Sequence, residues 1–138
     1  MHPMRLIPLL VFLSFPHALP AAEAGKESRM VATVDADGVQ RVTVKAGSFF
    51  FEPNVIVVKA RVPVELTIAR EAGVTPHNFL LKAPAASIDI SRDLEEAPSK
   101  ILFTASQTGT YPFACNKKLL FFPSHREKGM VGRLEVVE

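Results

Sequence analysis

One cysteine, Cys115, is the residue from which the chemistry of this chain has to be read. Ten residues on stands His125, and Met130 follows five residues later. A second imidazole, His77, lies upstream in Thr75-Pro-His-Asn78. A lone thiol has three ordinary uses: a small buried hydrophobe, a nucleophile beside a base, or one thiolate in a mixed-ligand metal site. A disulfide, a CxxC pair and a four-cysteine zinc or iron–sulfur site each need more cysteines than the chain has. A thiolate, two imidazoles and a weak thioether together make the donor set of a mononuclear electron-transfer copper site. The reason is redox matching: sulfur donors favour Cu(I), and imidazole suits both states. Zinc competes less well, because it prefers a fourth thiolate or hard donor to a thioether. A Cys–His nucleophile lacks a third orienting residue here and a helix start that would lower the thiol pKa.

The start of the chain narrows the candidates. Arg5 precedes an apolar run from Leu6 to Phe15, and Ala22-Glu-Ala24 fits a small-x-small cleavage site. Residues 1–24 therefore read as a secretory signal, with the functional domain over residues 25–138. The apolar run is about half of the roughly 20 residues that span a bilayer, so no stable membrane insertion is expected after cleavage. His2 and His17 leave with this segment, as do two of the four methionines. His77 and His125 are then the whole imidazole complement of the exported chain. A free thiol in an oxidising compartment is a liability unless it is buried or bound to metal.

The elements that position these residues read as short strands. Alternation or β-branched runs mark Met30–Val34, Val39–Ala46, Val55–Val58, Val64–Arg70, Asn78–Leu81, Ile101–Ala105, Tyr111–Cys115 and Met130–Val137. Asp35–Gly38, Glu52–Asn54 and Gln107–Thr110 are turns between them. Residues 84–99 are acidic and bracketed by Pro84 and Pro98, and fit either one or two helical turns or a long loop. No long amphipathic helix is apparent. Seven or eight short strands in one domain argue for an all-β fold, an antiparallel Greek-key β-sandwich. The chain has 138 residues, 48% hydrophobic and 22% charged, which suits one globular domain. A net charge of +2 carries no nucleic-acid footprint.

With the segments in order, the chain resembles the cupredoxin family. The carrying residues are Gly109-Thr-Tyr-Pro-Phe-Ala-Cys115, His125, Gly129-Met130 and Val131-Gly132, with Gly47–Pro53 and Thr75–Phe79 also similar. The resemblance runs from about Val39 to the end. It implies one copper ion, held equatorially by His77, Cys115 and His125 and axially by Met130. It also implies that Asn78 ties the ligand loops by hydrogen bonds. Nine residues separate Cys115 from His125, more than in plastocyanin or azurin and closer to the copper nitrite reductases.

The implied role is a monomeric, periplasmic or otherwise exported carrier of single electrons that transforms no substrate. A protein for copper storage, delivery or resistance is the alternative, although such proteins favour Met-rich or His-rich clusters. A copper-free β-sandwich binding module is the third reading. Leu119-Leu-Phe-Phe122 beside His125 reads either as a docking patch for protein redox partners or as an apolar run packed beneath the loop. Lys117, Lys118, Arg126 and Lys128 rim the same loop against Glu127 and would steer an acidic partner.

Overall fold

In the computed structural model, residues 26–138 are described and fold as a β-sandwich. The signal expected over residues 1–24 lies outside the described residues. The strands are β1 (Arg29–Val31), β2 (Gln40–Gly47), β3 (Phe50–Glu52), β4 (Val55–Lys59), β5 (Val64–Arg70), β6 (His77–Ala83), β7 (Ile88–Leu94), β8 (Ser99–Phe103), β9 (Gly109–Ala114) and β10 (Val131–Val137). One sheet has the order β1-β4-β10-β9-β6-β7 and the other β3-β2-β5-β8.

Each strand follows its side-chain pattern. In β2, Val42, Val44 and Ala46 face the core while Arg41, Thr43 and Lys45 face out, the period of a half-buried strand. In β4, Val55 to Val58 are all buried, as an unbroken β-branched run predicts. Phe51 from one sheet meets Phe79 and Phe113 from the other, with ring centroids 5.7 and 5.4 Å away, edge to face. This aromatic trio joins the two layers directly below the end of the sandwich where β6 begins and β9 stops.

The all-β sandwich agrees with the sequence reading, with three differences in detail. Ten strands are present among the described residues rather than seven or eight, because β3, only three residues long, and β7 are added. The sheets are mixed rather than wholly antiparallel: β1 and β10 both run parallel to β4, and β2 runs parallel to β5. Parallel neighbours need crossovers between sheets, and single-strand alternation carries no sign of direction. Residues 84–99 are neither a long loop nor mainly helical. A single 3₁₀ turn, Pro84–Ala86, leads into β7, where Ile88, Ile90 and Leu94 are buried and Asp89, Ser91 and Asp93 point out. Asp89 and Asp93, which suggest a loop, lie on the solvent face of this edge strand, and Glu95 and Glu96 follow it in a short connection to β8.

Gly132 in β10 shows how tightly this end is built. A Cβ there would lie 2.3 Å from the Phe113 ring and 2.6 Å from the Asn54 carbonyl oxygen. Backbone on one side and a core ring on the other leave no room for relaxation. Gly132→Ala is therefore expected to destabilise the fold by about 1–3 kcal/mol, as overpacking does. Urea unfolding of the variant checks this, and an unchanged midpoint would contradict it.

Candidate metal centre

Three neighbouring strands, β6, β9 and β10, end at the same place. Leu80 pairs with Ala114 and Leu81 with Phe113 across β6 and β9. Carried forward, that register sets Cys115 opposite Phe79 and Asn116 opposite Asn78. Hydrogen bonds confirm the placement. The Asn78 Nδ2 donates to Asn116 Oδ1 (2.7 Å), and the Asn116 N–H donates to Asn78 Oδ1 (3.0 Å). The Asn78 backbone N–H points at the Cys115 sulfur (3.4 Å). On the other side, the Cys115 N–H donates to the Met130 carbonyl (3.1 Å). Cys115 is thus clamped between His77-Asn78 and Met130, and it is fully buried, as is Met130.

His125 arrives from a different device. Ser124-His-Arg-Glu127 is a capping box: Ser124 N–H and Oγ both donate to Glu127 Oε2 (2.7 Å each), and the Glu127 N–H donates to Ser124 Oγ (3.3 Å). These bonds hold the Glu127 carboxyl below its usual pKa. The resulting turn closes through the Lys128 N–H to the Ser124 carbonyl (3.1 Å). Gly129 then takes φ +93°, a backbone that side chains disfavour, and returns the chain toward β10. The Met130 N–H donates to the His125 carbonyl (2.9 Å), and the His125 N–H to the Lys117 carbonyl (2.8 Å). One turn therefore fixes His125 relative to both Met130 and the Cys115 loop.

The three donor atoms converge. His77 Nδ1 and His125 Nδ1 are 3.1 Å apart, and the Cys115 sulfur lies 3.4 Å from His125 Nδ1 and 4.0 Å from His77 Nδ1. All three residues are buried. The circle through points at these separations has a radius of about 2.1 Å, close to the length of a metal–imidazole bond. An ion in that triangle reaches every donor without rearrangement. His77, Cys115, His125 and Met130 are positioned to bind a single copper ion, and a site with this soft-plus-imidazole donor set suits copper over harder metals.

Electrostatics reinforces the arrangement. Burial lowers the pKa of both imidazoles below 6.5, helped at His77 by His125 and Arg70 and at His125 by Lys128. At 3.1 Å at most one of the two Nδ1 atoms carries a proton, since two would set N–H groups head-on. Burial thus favours the neutral imidazoles that a metal requires.

Two supporting groups have no sign in the sequence pattern. Asn116 completes the amide pair with Asn78, and only the β6–β9 register reveals it. Phe49 lies with its ring edge-on to His125 at 5.0 Å, and the Lys128 ammonium sits 4.4 Å from the centroid of the same Phe49 ring. The S-x-x-E spacing of Ser124 and Glu127 is the readable sign of the capped turn. The rim also differs from expectation at one point: Lys117 is not a free cation but pairs with Asp93 of β7 at 2.8 Å. The Leu119–Phe122 run does not pack beneath the loop; all four residues are exposed.

The chain belongs to the family of cupredoxin-like domains, whose model matches residues 6–131. Solved structures share its fold. One is the metal-binding domain of the Cu(I)-exporting P-type ATPase CopA of Streptococcus pneumoniae, solved with Cu(I): TM-score 0.62, 21% identity, 83% of this chain and 100% of that one. A copper-binding protein in its apo form follows: TM-score 0.58, 19% identity, 78% and 96%. Dithionite-reduced auracyanin from Roseiflexus castenholzii is a third: TM-score 0.57, 17% identity, 71% and 97%. At these identities the likeness is one of fold. No curated protein matches the chain in sequence. Among the described residues no helix is long and apolar enough to cross a membrane.

Two outcomes follow from this geometry. Asn78→Ala leaves the Asn116 N–H without its partner, and should cost about 1–3 kcal/mol of stability by chemical denaturation; a loss within error of zero would contradict the clamp. The lowered histidine pKa values mean that the unfolded chain binds more protons as pH falls past 6.5. Chelator-treated protein should keep its full stability above that value and melt at lower temperature near pH 5. Equal melting temperatures would contradict it.

Proposed function

We propose that this chain is an exported, mononuclear type 1 copper protein that shuttles single electrons between redox partners. His77, Cys115 and His125 would hold the copper, with Met130 as the weaker fourth donor. Copper bound there supplies a Cu(II)/Cu(I) couple and so accepts or gives one electron. The observation that carries the reading is the buried triangle of one sulfur and two Nδ1 atoms, already at bonding size.

The chain's own residues account for the rest of the role. A carrier works quickly when its ligands move little between oxidation states. The Asn78–Asn116 pair, the Cys115–Met130 backbone bond and the capped turn at Ser124 hold the donors in one arrangement. Burial keeps bulk water away from the sulfur. The His125 N–H bond to the Lys117 carbonyl joins the ligand turn to the exposed loop, giving a short route from the site to the surface. A redox protein would meet the molecule at this end. Residues 1–24 would deliver the chain to the periplasm or another exported location, for which Arg5, the Leu6–Phe15 run and Ala22-Glu-Ala24 are the support.

Adding Cu(II) to the metal-free protein tests the reading. One equivalent should bind and produce an intense visible thiolate-to-copper absorption with the matching paramagnetic resonance signal. Both should vanish in Cys115→Ala. Reduction should bleach the colour, and a one-electron acceptor should restore it. Colourless binding would assign the chain to copper delivery or storage instead, and no binding would leave a β-sandwich binding module.

A further inference from the structure

The tip of the ligand loop is not used by the metal centre. Leu119, Leu120, Phe121 and Phe122 are 66%, 74%, 84% and 48% exposed. The loop is shaped to present them. The Phe122 N–H donates to the Leu119 carbonyl (3.0 Å), closing a turn. Leu120 takes φ +49°, a left-handed backbone that costs a leucine energy and is kept only where the surroundings impose it. The rings of Phe121 and Phe122 stack at 5.0 Å, and Leu119 and Leu120 are exposed next to them in the chain. Basic residues flank the tip along the chain: Lys117 and Lys118 before it, Arg126 and Lys128 after it, with the Lys128 ammonium over the Phe49 ring. Glu127, the acid within this stretch, is engaged by Ser124, and Asp93 of β7 faces Lys117.

We infer that this tip is a membrane-docking loop, with Leu120 and Phe121 entering the apolar edge of an anionic bilayer while Lys118 and Arg126 meet lipid phosphates. Contiguous exposed apolar residues mark an interaction site, because water alone does not stabilise them. The shape favours lipid over a folded partner. Phe121 is 84% exposed although Phe122 stacks beside it, so the pair projects from the loop. A rigid protein would need a matching pocket, whereas a fluid interface closes around such a tip. The cationic collar supplies the second signal that reversible interfacial binding needs. Such adsorption is distinct from spanning, and it leaves the fold unchanged. It rests on the electron-carrier reading only for its purpose: it would bring the copper end to the bilayer, where membrane-bound redox partners are reached by two-dimensional search. Lipid binding itself needs no copper.

The chain has no tryptophan, so Phe121→Trp creates a single reporter at the tip. The protein from residue 25 onward serves, because residues 26–138 hold both sheets and their core, and the apolar run before it would partition by itself. With vesicles containing phosphatidylglycerol, the emission should shift to the blue and the protein should float with the vesicles. With phosphatidylcholine alone, binding should be about tenfold weaker, and added salt should weaken the anionic case. Leu120→Ser with Phe121→Ser should abolish flotation while the thiolate–copper absorption persists, which shows that the fold is intact. Unchanged emission with no flotation would overturn the inference. So would flotation that survives the double variant. Loss of electron exchange with a soluble acidic redox protein in that variant, without any vesicle binding by the parent, would assign the tip to protein docking and overturn it too. Flotation by a protein that shows no copper colour would sink the carrier reading and leave the lipid inference standing.

Discussion

Asn78 donates to Asn116, accepts from it, and aims its own backbone N–H at the Cys115 sulfur. Those three interactions lock the end of β9 to the start of β6 in one register. A slip of one residue would turn His77 and Cys115 to opposite faces, since side chains alternate along a strand. Everything at the metal centre depends on that register. The aromatic trio of Phe51, Phe79 and Phe113 secures it from below, because two of its rings belong to the same strand pair. Met130 is brought in by the neighbouring pairing of β10 with β9, so three of the four donors come from adjacent strand ends.

The fourth donor shows a division of labour. His125 sits on a capped turn rather than a strand, and the nine residues before it form a loop with its own closure. The loop is anchored at both ends by backbone hydrogen bonds, Cys115 to Met130 and His125 to Lys117. Its length therefore does not loosen the site. The middle of the loop is free to project Leu119 to Phe122 into solvent, and the structure uses that freedom. Rigidity at the ligands and projection at the tip are properties of one segment, separated by two hydrogen bonds.

Much of this is legible in the sequence, for physical reasons that differ from residue to residue. The donor set is readable because a single cysteine and two histidines leave few combinations. The strands with alternating or unbroken β-branched patterns, β2, β4, β5 and β10, are readable because burial imposes period two. β7 is hidden because an edge strand needs only one apolar face, and its outward acids mimic a loop. Parallel pairing in β1, β4 and β10 is hidden because direction is decided by chain crossovers, which no local pattern records. Asn116 and Phe49 are hidden because their roles exist only after register and sheet packing bring them beside Asn78 and His125. The exposure of the Leu119–Phe122 run is a matter of tertiary packing that composition leaves open.

The central claim is that the fold sets the donors in place before the metal arrives and holds them through a change of oxidation state. X-ray absorption at the copper edge, recorded on the loaded protein oxidised and then reduced, tests it most directly. The account predicts one short copper–sulfur bond and two imidazole nitrogens in both states, with bond lengths that change little between them. A first shell of nitrogen and oxygen alone, or dissociation of the sulfur or of an imidazole on reduction, would contradict it.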